Sequence, residues 1–383
     1  MPGMRFVIAL TALLFLRSIV GARCPDGATT QDFLAPGSYG VGVRTLPLVD
    51  ETRPTAAHGA IPAELSRKLT TEVWYPTAPH AGSPLRDVPA AGGRFPLVLY
   101  SHGYSDNRTG EAYIAEALAS RGIIVASPDF PLTNLATVTR VPADIVNQPG
   151  DVRFVLDRML ELAGTPSSWL EGRVDRHRIA ASGLSYGGLT TLLVAFHPTL
   201  RDPRVHAAAA LAPVACALGP LFYRAAKPPL LLVQGTQDLL VPIELNADRA
   251  YALSRSPREL IALENASHSA FTGLLTLPSA VSYDVPFGCP VVVREFGTDL
   301  GGAAALNDPA SGIDVADCSI PCQGAPPTNT PMQAVRQHEL TQAAVVAFFE
   351  SRFRKSRAAR CFLRQGLAQE NSDVQVRSHP AGR

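Results

Sequence analysis

A glycine-flanked serine restricts how this chain can fold more than any other feature of its sequence. The pentapeptide Gly-Leu-Ser-Tyr-Gly occupies residues 183–187, after the short strand candidate 178–182 and before the apolar segment 189–196. This order predicts a strand, a sharp turn and a helix, with glycines two residues before and after Ser185 because the backbone crowds there. The alternative is a glycine-rich turn with a solvated serine. We interpret Ser185 as an exposed nucleophile at the end of a buried strand.

Strand-like and helix-like segments alternate on both sides of this turn. Several strand candidates are continuous apolar runs, which are typical of strands buried on both faces of a parallel sheet. Apolar residues with helical spacing lie between them, at 113–118, 152–160 and 189–196. The pattern predicts one α/β domain with an eight-stranded, mostly parallel sheet and helices on both faces. The eight strand candidates are 39–46, 68–75, 96–101, 122–127, 178–182, 205–211, 229–234 and 259–264.

The alternation stops beyond His268. Residues 276–332 are rich in Pro, Gly, Asp and Cys and have no sustained periodicity, which predicts an irregular insertion. An amphipathic helix at about 333–353 follows as the predicted last helix, and a polar tail is predicted over about 364–383. Because the insertion begins close to His268, we expect it to act as a lid or wall over the substrate pocket. The alternative is a surface loop held by disulfide bonds.

Two polar residues downstream of the serine complete a predicted catalytic triad, since a nucleophilic serine requires a base and the base an orienting acid. Asp238 follows the strand candidate 229–234, and His268 follows the next candidate, 259–264. The carboxyl ends of parallel strands meet at one edge of a sheet, where such a domain places its site. We predict that Asp238 orients His268 and that His268 takes the serine proton. Asp129 is the rival acid, but it precedes the serine in the chain and is better interpreted as a turn residue.

The loop after strand candidate 96–101 is predicted to stabilise negative charge on a substrate oxygen. It reads Ser-His-Gly-Tyr at residues 101–104 and follows a buried strand, as the loop of an oxyanion hole does. The backbone N–H groups of Tyr104 and Tyr186 are the predicted donors. His102, which precedes a glycine in this loop, is interpreted as structural rather than catalytic.

The N-terminal segment predicts export. Arg5 precedes a short apolar run at 6–16, and small residues follow at 21–22, which is the pattern of a signal peptide spanning residues 1–22. The run is too short to cross a bilayer comfortably, so no stable membrane anchor is expected. Residues 23–383 would then form a single secreted or periplasmic domain.

Six cysteines fit an oxidising compartment, in which an even number favours disulfide bonds. At least two disulfides are predicted, with contributions from the three cysteines of the insertion and with the pairing left open. The pair Cys318 and Cys322 lacks a second closely spaced Cys/His pair, so no metal site is expected there. The cysteines are Cys24, Cys216, Cys289, Cys318, Cys322 and Cys361.

As a whole the chain resembles the platelet-activating-factor acetylhydrolase and predicted dienelactone-hydrolase-like group of the α/β-hydrolase superfamily. The resemblance covers about residues 38–270 and the last helix. It implies an α/β-hydrolase fold and a serine esterase or lipase that cleaves lipid or small acyl esters without a metal or organic cofactor. The matching stretches are 73–76, 100–103, 125–129, 151–157, 183–187, 235–238 and the loop at His268.

The same residues leave other functions open. A polyester hydrolase of the cutinase type shares the serine turn and an aromatic residue at the position of Tyr104, although it lacks a long insertion after the histidine. A secreted serine peptidase would use the same triad, and a catalytically silent binding module would keep only the fold. A nucleic-acid partner is not expected, because the formal net charge is +1 and no basic stripe is visible. The sequence gives no indication of the oligomeric state.

Overall fold

The computed structural model describes residues 24–380, with the exception of 25–26, 297–300 and 324–326. The predicted signal peptide, residues 1–22, therefore lies outside the described residues. Within the described part of the chain, no helix has the length and apolar character needed to cross a membrane.

A single twisted sheet forms the centre of the protein. The six central strands, from β9 to β5 in the order given below, are parallel to one another. The strand next to this set on either side, β10 beside β9 and β2 beside β5, runs antiparallel. Their order across the sheet is β10-β9-β8-β7-β6-β4-β5-β2-β1-β3. The strands are β1 (Gly40–Asp50), β2 (Arg67–Thr77), β3 (Leu85–Arg86), β4 (Phe95–Ser101), β5 (Ile124–Pro128), β6 (Val174–Leu184), β7 (Ala208–Leu211), β8 (Leu230–Gly235), β9 (Arg258–Leu263) and β10 (Val374–His379).

The predicted α/β-hydrolase fold is present, but the prediction of eight strands is wrong, since the sheet has ten strands among the described residues. All eight predicted strands occur near their expected positions, and β3 and β10 are additional. β3 has only two residues, both exposed, which is too short for any periodicity. β10 is mostly exposed and joins the sheet through backbone hydrogen bonds to β9. Backbone groups are the same in every residue, so this pairing does not require an apolar pattern that the sequence would show.

Helices cover both faces of the sheet. α3 and α4 pack on one face, and α2 and α7 pack on the other. Along β8, Leu230 and Leu232 belong to the first core while Leu231 and Val233 belong to the second, and all four are fully buried. This arrangement explains why the strand is a continuous apolar run. The helices are α1 (Thr30–Leu34), α2 (Ala112–Ser120), α3 (Gln148–Gly164), α4 (Tyr186–Phe196), α5 (Ala247–Leu253), α6 (Cys289–Phe296), α7 (Ala334–Phe353), α8 (Arg357–Cys361) and α9 (Leu367–Glu370).

The C-terminal region differs from the prediction of a polar tail over about 364–383. α7 matches the predicted amphipathic helix but is not the last one, because α8, α9 and β10 follow it. Phe362 and Leu367 are fully buried against the core beside α7. Burial of one such side chain contributes about 1.5–3 kcal/mol. Sparse apolar residues thus anchor a segment whose average composition is polar.

The segment 276–332 has little regular structure among its described residues and packs closely on the α/β body. Its one longer element is α6, and short 3-10 turns occupy much of the rest. Backbone hydrogen bonds connect it to the loops after the central strands, among them Gly219 N–H to Gly312 O and Cys322 N–H to Leu239 O. Ile313 is fully buried in the core on the side of α3 and α4. The insertion therefore has a fixed position relative to the sheet.

Three disulfide bonds link all six cysteines. The prediction of at least two disulfides that involve the insertion is confirmed, and the pairing left open by the sequence is now defined. Cys24–Cys361 joins the first described residue to α8. Cys216–Cys318 connects the loop after β7 to the insertion, and Cys289–Cys322 closes a loop within it.

Removing the Cys24–Cys361 bridge is expected to destabilise the protein. We expect the double variant Cys24→Ser/Cys361→Ser to lower the free energy of unfolding by about 2–5 kcal/mol, because the bridge restricts the unfolded chain over a separation of 337 residues. Urea denaturation of the oxidised protein measures the change. The matched variant Cys289→Ser/Cys322→Ser, with a separation of 33 residues, should lose less. Equal stability of wild type and the first variant would contradict the assigned role of this bridge.

Candidate active site

Ser185 lies in a sharp turn between β6, which ends at Leu184, and α4, which begins at Tyr186. Its φ of 56° and ψ of −115° are rare for a residue other than glycine. A Cβ atom on Gly187 would collide with the carbonyl oxygen of Ser101, and one on Gly183 would collide with that of Gly187. Glycine is therefore required at both flanking positions, for the reason that the sequence pattern predicts.

Asp238 and His268 meet beside this turn, at the carboxyl ends of β8 and β9. His268 Nδ1 lies 2.7 Å from Asp238 Oδ2, so Nδ1 carries the proton and Nε2 is free to accept one. Gln234 Nε2 also donates to Asp238 Oδ2, at 2.6 Å. The backbone N–H groups of Leu240 and Val241 donate to Asp238 Oδ1 at 3.0 and 2.7 Å. Four hydrogen bonds thus fix the carboxylate that orients the imidazole.

Ser185 and His268 line the same cavity, whose volume is about 220 Å³. Within the part of the chain that the structure describes, Ser185 Oγ makes no hydrogen bond to the imidazole. Hydrogen bonds between a nucleophile and its base often tighten only when substrate binds. The arrangement is therefore that of a serine and an imidazole in one cavity, with a carboxylate hydrogen-bonded to the far side of the imidazole.

The loop after β4 lies directly against the serine. A Cβ atom built on Gly103 would be 3.6 Å from Ser185 Cβ. Neither Tyr104 N–H nor Tyr186 N–H has an acceptor among the described residues, and Tyr186, as the first residue of α4, has no partner within its helix. Their rings pack edge to face with 5.6 Å between centroids. Both predicted oxyanion donors are thus near the serine and unpaired.

Asp129 and His102, which the sequence analysis considered as alternative catalytic residues, make hydrogen bonds to residues outside the triad. Asp129 accepts hydrogen bonds from the Arg108 backbone at 2.7 Å and from its guanidinium at 2.6 Å, so it holds a loop and does not contact His268. His102 is buried, where its Nε2 accepts from Phe130 N–H at 3.0 Å and its Nδ1 bonds to Gly103 O at 2.7 Å. Both ring nitrogens are occupied by backbone, which is a structural role.

Asp284, in the insertion, is a site residue that the sequence analysis missed. It is fully buried, and its Oδ2 accepts hydrogen bonds from Leu239 N–H at 2.9 Å and His268 N–H at 3.1 Å. Its Oδ1 accepts from Ser269 N–H at 2.6 Å. The carboxylate of Asp284 thus joins the loop that carries Asp238 to the loop that carries His268. Nothing in its sequence neighbourhood distinguishes it, because its partners are distant in the chain.

Glu295, on α6, was also missed and connects the insertion to the oxyanion loop. It accepts a hydrogen bond from the Tyr104 hydroxyl at 2.8 Å and forms an ion pair with Arg140 at 2.5 Å. Partial burial alone would raise the pKa of Glu295, but hydrogen bonds from Arg140, Arg294 and Tyr104 lower it to about 2. Next to it, Phe296 packs on the rings of Tyr104 and Tyr186.

The acid–base properties of His268 follow from its neighbours. Burial alone would lower the pKa of the imidazole, but the charge and hydrogen bond of Asp238 and the charge of Asp284 outweigh it. The pKa of His268 therefore lies above its ordinary value. A protonated imidazole cannot accept the serine proton, so activity should be lost as the pH falls through this raised pKa.

No group of His, Cys, Asp or Glu side chains in the described part of the chain is arranged to hold a metal ion. The groups that the site presents are a hydroxyl, an imidazole, carboxylates and backbone N–H groups. These are the groups of nucleophilic acyl transfer, in which a serine attacks a carbonyl and donors stabilise the resulting oxyanion.

Comparisons with known proteins give the family and the fold of this chain. The model of the PETase family, described as PET hydrolase-like, matches residues 72–277, which is more than half of the chain. The matched region contains Ser185, Asp238 and His268 and ends where the insertion begins. No curated protein sequence matches the chain. A solved structure, the ferulic acid esterase from Streptomyces cinnamoneus, is similar with a TM-score of 0.55 and 22% identity, over 82% of this chain and 91% of that one. This likeness supports the fold alone.

Replacing Asp284 with Asn tests its link to His268. Removing the negative charge should lower the pKa of His268, so the acid limb of the kcat/KM–pH profile should move to lower pH. We also expect kcat/KM at pH 8 to fall at least about tenfold, because the amide faces backbone donors and displaces the histidine loop. The profile is measured with p-nitrophenyl acetate.

Asp129→Asn is the matched control, since it removes a carboxylate that pairs with Arg108 away from the histidine. Its acid limb should coincide with that of the wild type. A purely structural role of Asp284 would lower kcat/KM without moving the acid limb, and that outcome would contradict the electrostatic link.

Proposed function

Because the chain belongs to the PET hydrolase-like family and is a carboxylic ester hydrolase, we propose that it is exported and cleaves lipid or small acyl esters through an acyl-enzyme on Ser185. The observation that carries the proposal is the hydrogen bond of 2.7 Å between Asp238 and His268 at the cavity that Ser185 lines. This order of acid, base and nucleophile is the one that activates a serine hydroxyl.

In the first half of the reaction, Ser185 Oγ attacks the ester carbonyl carbon while His268 Nε2 takes the hydroxyl proton. The negative charge moves to the carbonyl oxygen, which accepts hydrogen bonds from the N–H groups of Tyr104 and Tyr186. Asp238 stabilises the imidazolium and keeps Nδ1 protonated. Collapse of the intermediate breaks the bond to the alcohol oxygen, which takes the proton from His268 and leaves as the free alcohol.

The second half repeats these steps with water. His268 Nε2 takes a proton from water, whose oxygen attacks the acyl carbon, and the same two N–H groups hold the oxyanion. Collapse returns the proton to Ser185 Oγ and releases the carboxylic acid. One ester and one water thus give one alcohol and one acid, and the enzyme is regenerated.

Export is supported by the signal-peptide pattern of residues 1–22 and by the three disulfide bonds. Structural disulfides persist in oxidising compartments and are rare in the reducing cytosol. Cys24 would remain in the mature chain, because it follows the predicted cleavage region and pairs with Cys361. We therefore place the protein outside the cytoplasm, either secreted or in the periplasm.

A polyester hydrolase is the second candidate, and the family match is the observation that favours it. The two candidate functions are compared most directly by assaying one preparation of the protein on both kinds of substrate. Soluble p-nitrophenyl esters report hydrolysis of small acyl groups, and a polyester film reports release of soluble monomers. Monomer release from the film that Ser185→Ala abolishes would make this the better assignment of the two.

Replacing Ser185 with Ala is expected to lower ester turnover by about three orders of magnitude or more, because the triad residues act as a unit. An organophosphonate probe should label the wild type at Ser185 and leave this variant unlabelled, as mass spectrometry of the peptides will show. Ser269→Ala is the matched control, since Ser269 lines the same cavity and its variant should still be labelled. Labelling of Ser185→Ala, or full activity of that variant, would overturn the proposal.

A further inference from the structure

Two cavities meet at Ser185 and differ in which catalytic groups they reach. The first, of about 220 Å³, is also lined by His268 and Ser269. Tyr104 lines both cavities, whereas the second, of about 70 Å³, is lined by Tyr186 and not by the histidine. The serine thus stands between a larger space that reaches His268 and a smaller space that reaches Tyr186 but not the histidine.

The chemistry of the reaction assigns one side of the ester to each cavity. His268 must protonate the departing alcohol oxygen, so the alcohol has to lie on the side of the imidazole, in the first cavity. The acyl group stays on the serine, with its oxygen held by the N–H groups of Tyr104 and Tyr186. Its chain must then extend away from the histidine, which directs it into the second cavity.

The lining of the second cavity is suited to a hydrocarbon chain. Among its few polar groups, Asn246 is hydrogen-bonded to the backbone, because its Oδ1 accepts from Ala215 N–H and Cys216 N–H and its Nδ2 donates to Pro242 O. Ser319 is exposed at the rim. The apolar lining is formed by Val214, Leu240, Val241, Pro242, Val292, Phe296, Pro321 and the Cys216–Cys318 bridge.

The insertion supplies one side of this cavity and holds it in place. Val292 and Phe296 come from α6, which Glu295 ties to Arg140 and to the Tyr104 hydroxyl. The disulfide between Cys216 and Cys318 forms another part of the same side. Disulfide and ion pair together limit how far this side can move to admit a longer chain. By contrast, Val293 of the same helix is 57% exposed and faces away from both cavities.

Size then decides which acyl groups can enter. A cavity of about 150 Å³ is known to hold one benzene molecule, and the second cavity has about 70 Å³. We propose that this cavity is the acyl site and that it admits short aliphatic acyl groups, from acetyl to about butyryl, while excluding aromatic and long acyl groups. The inference rests on the proposed function and names the substrate class of the same site.

The test compares p-nitrophenyl esters that share one leaving group and differ only in the acyl group. For the wild type we expect kcat/KM for the acetyl and butyryl esters to exceed that for the benzoyl and octanoyl esters by at least about tenfold, since single methylene groups change such ratios by 10- to 200-fold. Phe296→Ala enlarges the second cavity and should reduce this discrimination about tenfold. Val214→Ala enlarges it from the side of the α/β body and should act in the same direction.

Phe287→Ala is the matched control, because Phe287 lines only the first cavity. It should leave the acyl profile unchanged and alter the ratio of kcat/KM for 1-naphthyl acetate and ethyl acetate. If Phe296→Ala does not fold, Val214→Ala decides the question.

Two results would overturn the inference. One is a wild type that cleaves the benzoyl or octanoyl ester as fast as the acetyl ester. The other is a folded enlarged variant, Phe296→Ala or Val214→Ala, that keeps the wild-type profile. In both cases labelling of Ser185 by the organophosphonate probe shows that the proposed esterase function still holds. An enzyme with no ester turnover and no labelling at Ser185 fails on the function itself.

Discussion

The positive φ of Ser185 is the constraint around which the central part of the fold is arranged. Such a conformation costs about 1–3 kcal/mol in a residue that carries a side chain. Ser185 N–H donates to Leu211 O on β7 at 2.8 Å, and every residue of α4 is buried. Glycine at 187 lets α4 approach β4, and glycine at 188 lets it approach Pro213. Packing on both sides of the turn thus offsets the strain and holds the hydroxyl at the carboxyl edge of the sheet.

Once the serine is fixed, the other groups of the site depend on loops that leave neighbouring strands at that edge. These loops are irregular, and polar contacts add to their buried apolar residues in setting their relative positions. Asp284 accepts backbone hydrogen bonds from both the acid loop and the histidine loop, and Glu295 holds the Tyr104 ring. Both carboxylates belong to the insertion, so a segment with little regular structure positions residues of the α/β body.

The same insertion gives the site its asymmetry. Its residues line both cavities beside Ser185, and Val292 of α6 lines the two of them, but of the two only the smaller one is lined by the Cys216–Cys318 disulfide and by Phe296. The larger one reaches the base, which must be accessible to a departing alcohol and to the water that replaces it. A small, rigid cavity for the acyl group and a larger cavity for the alcohol thus lie on two sides of the same serine.

The sequence by itself determined the fold class, eight of the ten strands, and the approximate place of the site. These features depend on local patterns, such as apolar runs, helical spacing and glycines around Ser185, which are legible without knowledge of distant residues. It also predicted Asp238 and His268 from their order after the serine, and the structure places them 2.7 Å apart. Only the tertiary structure decided the disulfide pairing, the strand β10, and the contacts of Asp284 and Glu295. Each of these depends on residues far apart in the chain, in segments without periodicity, where the sequence carries no record of which groups meet.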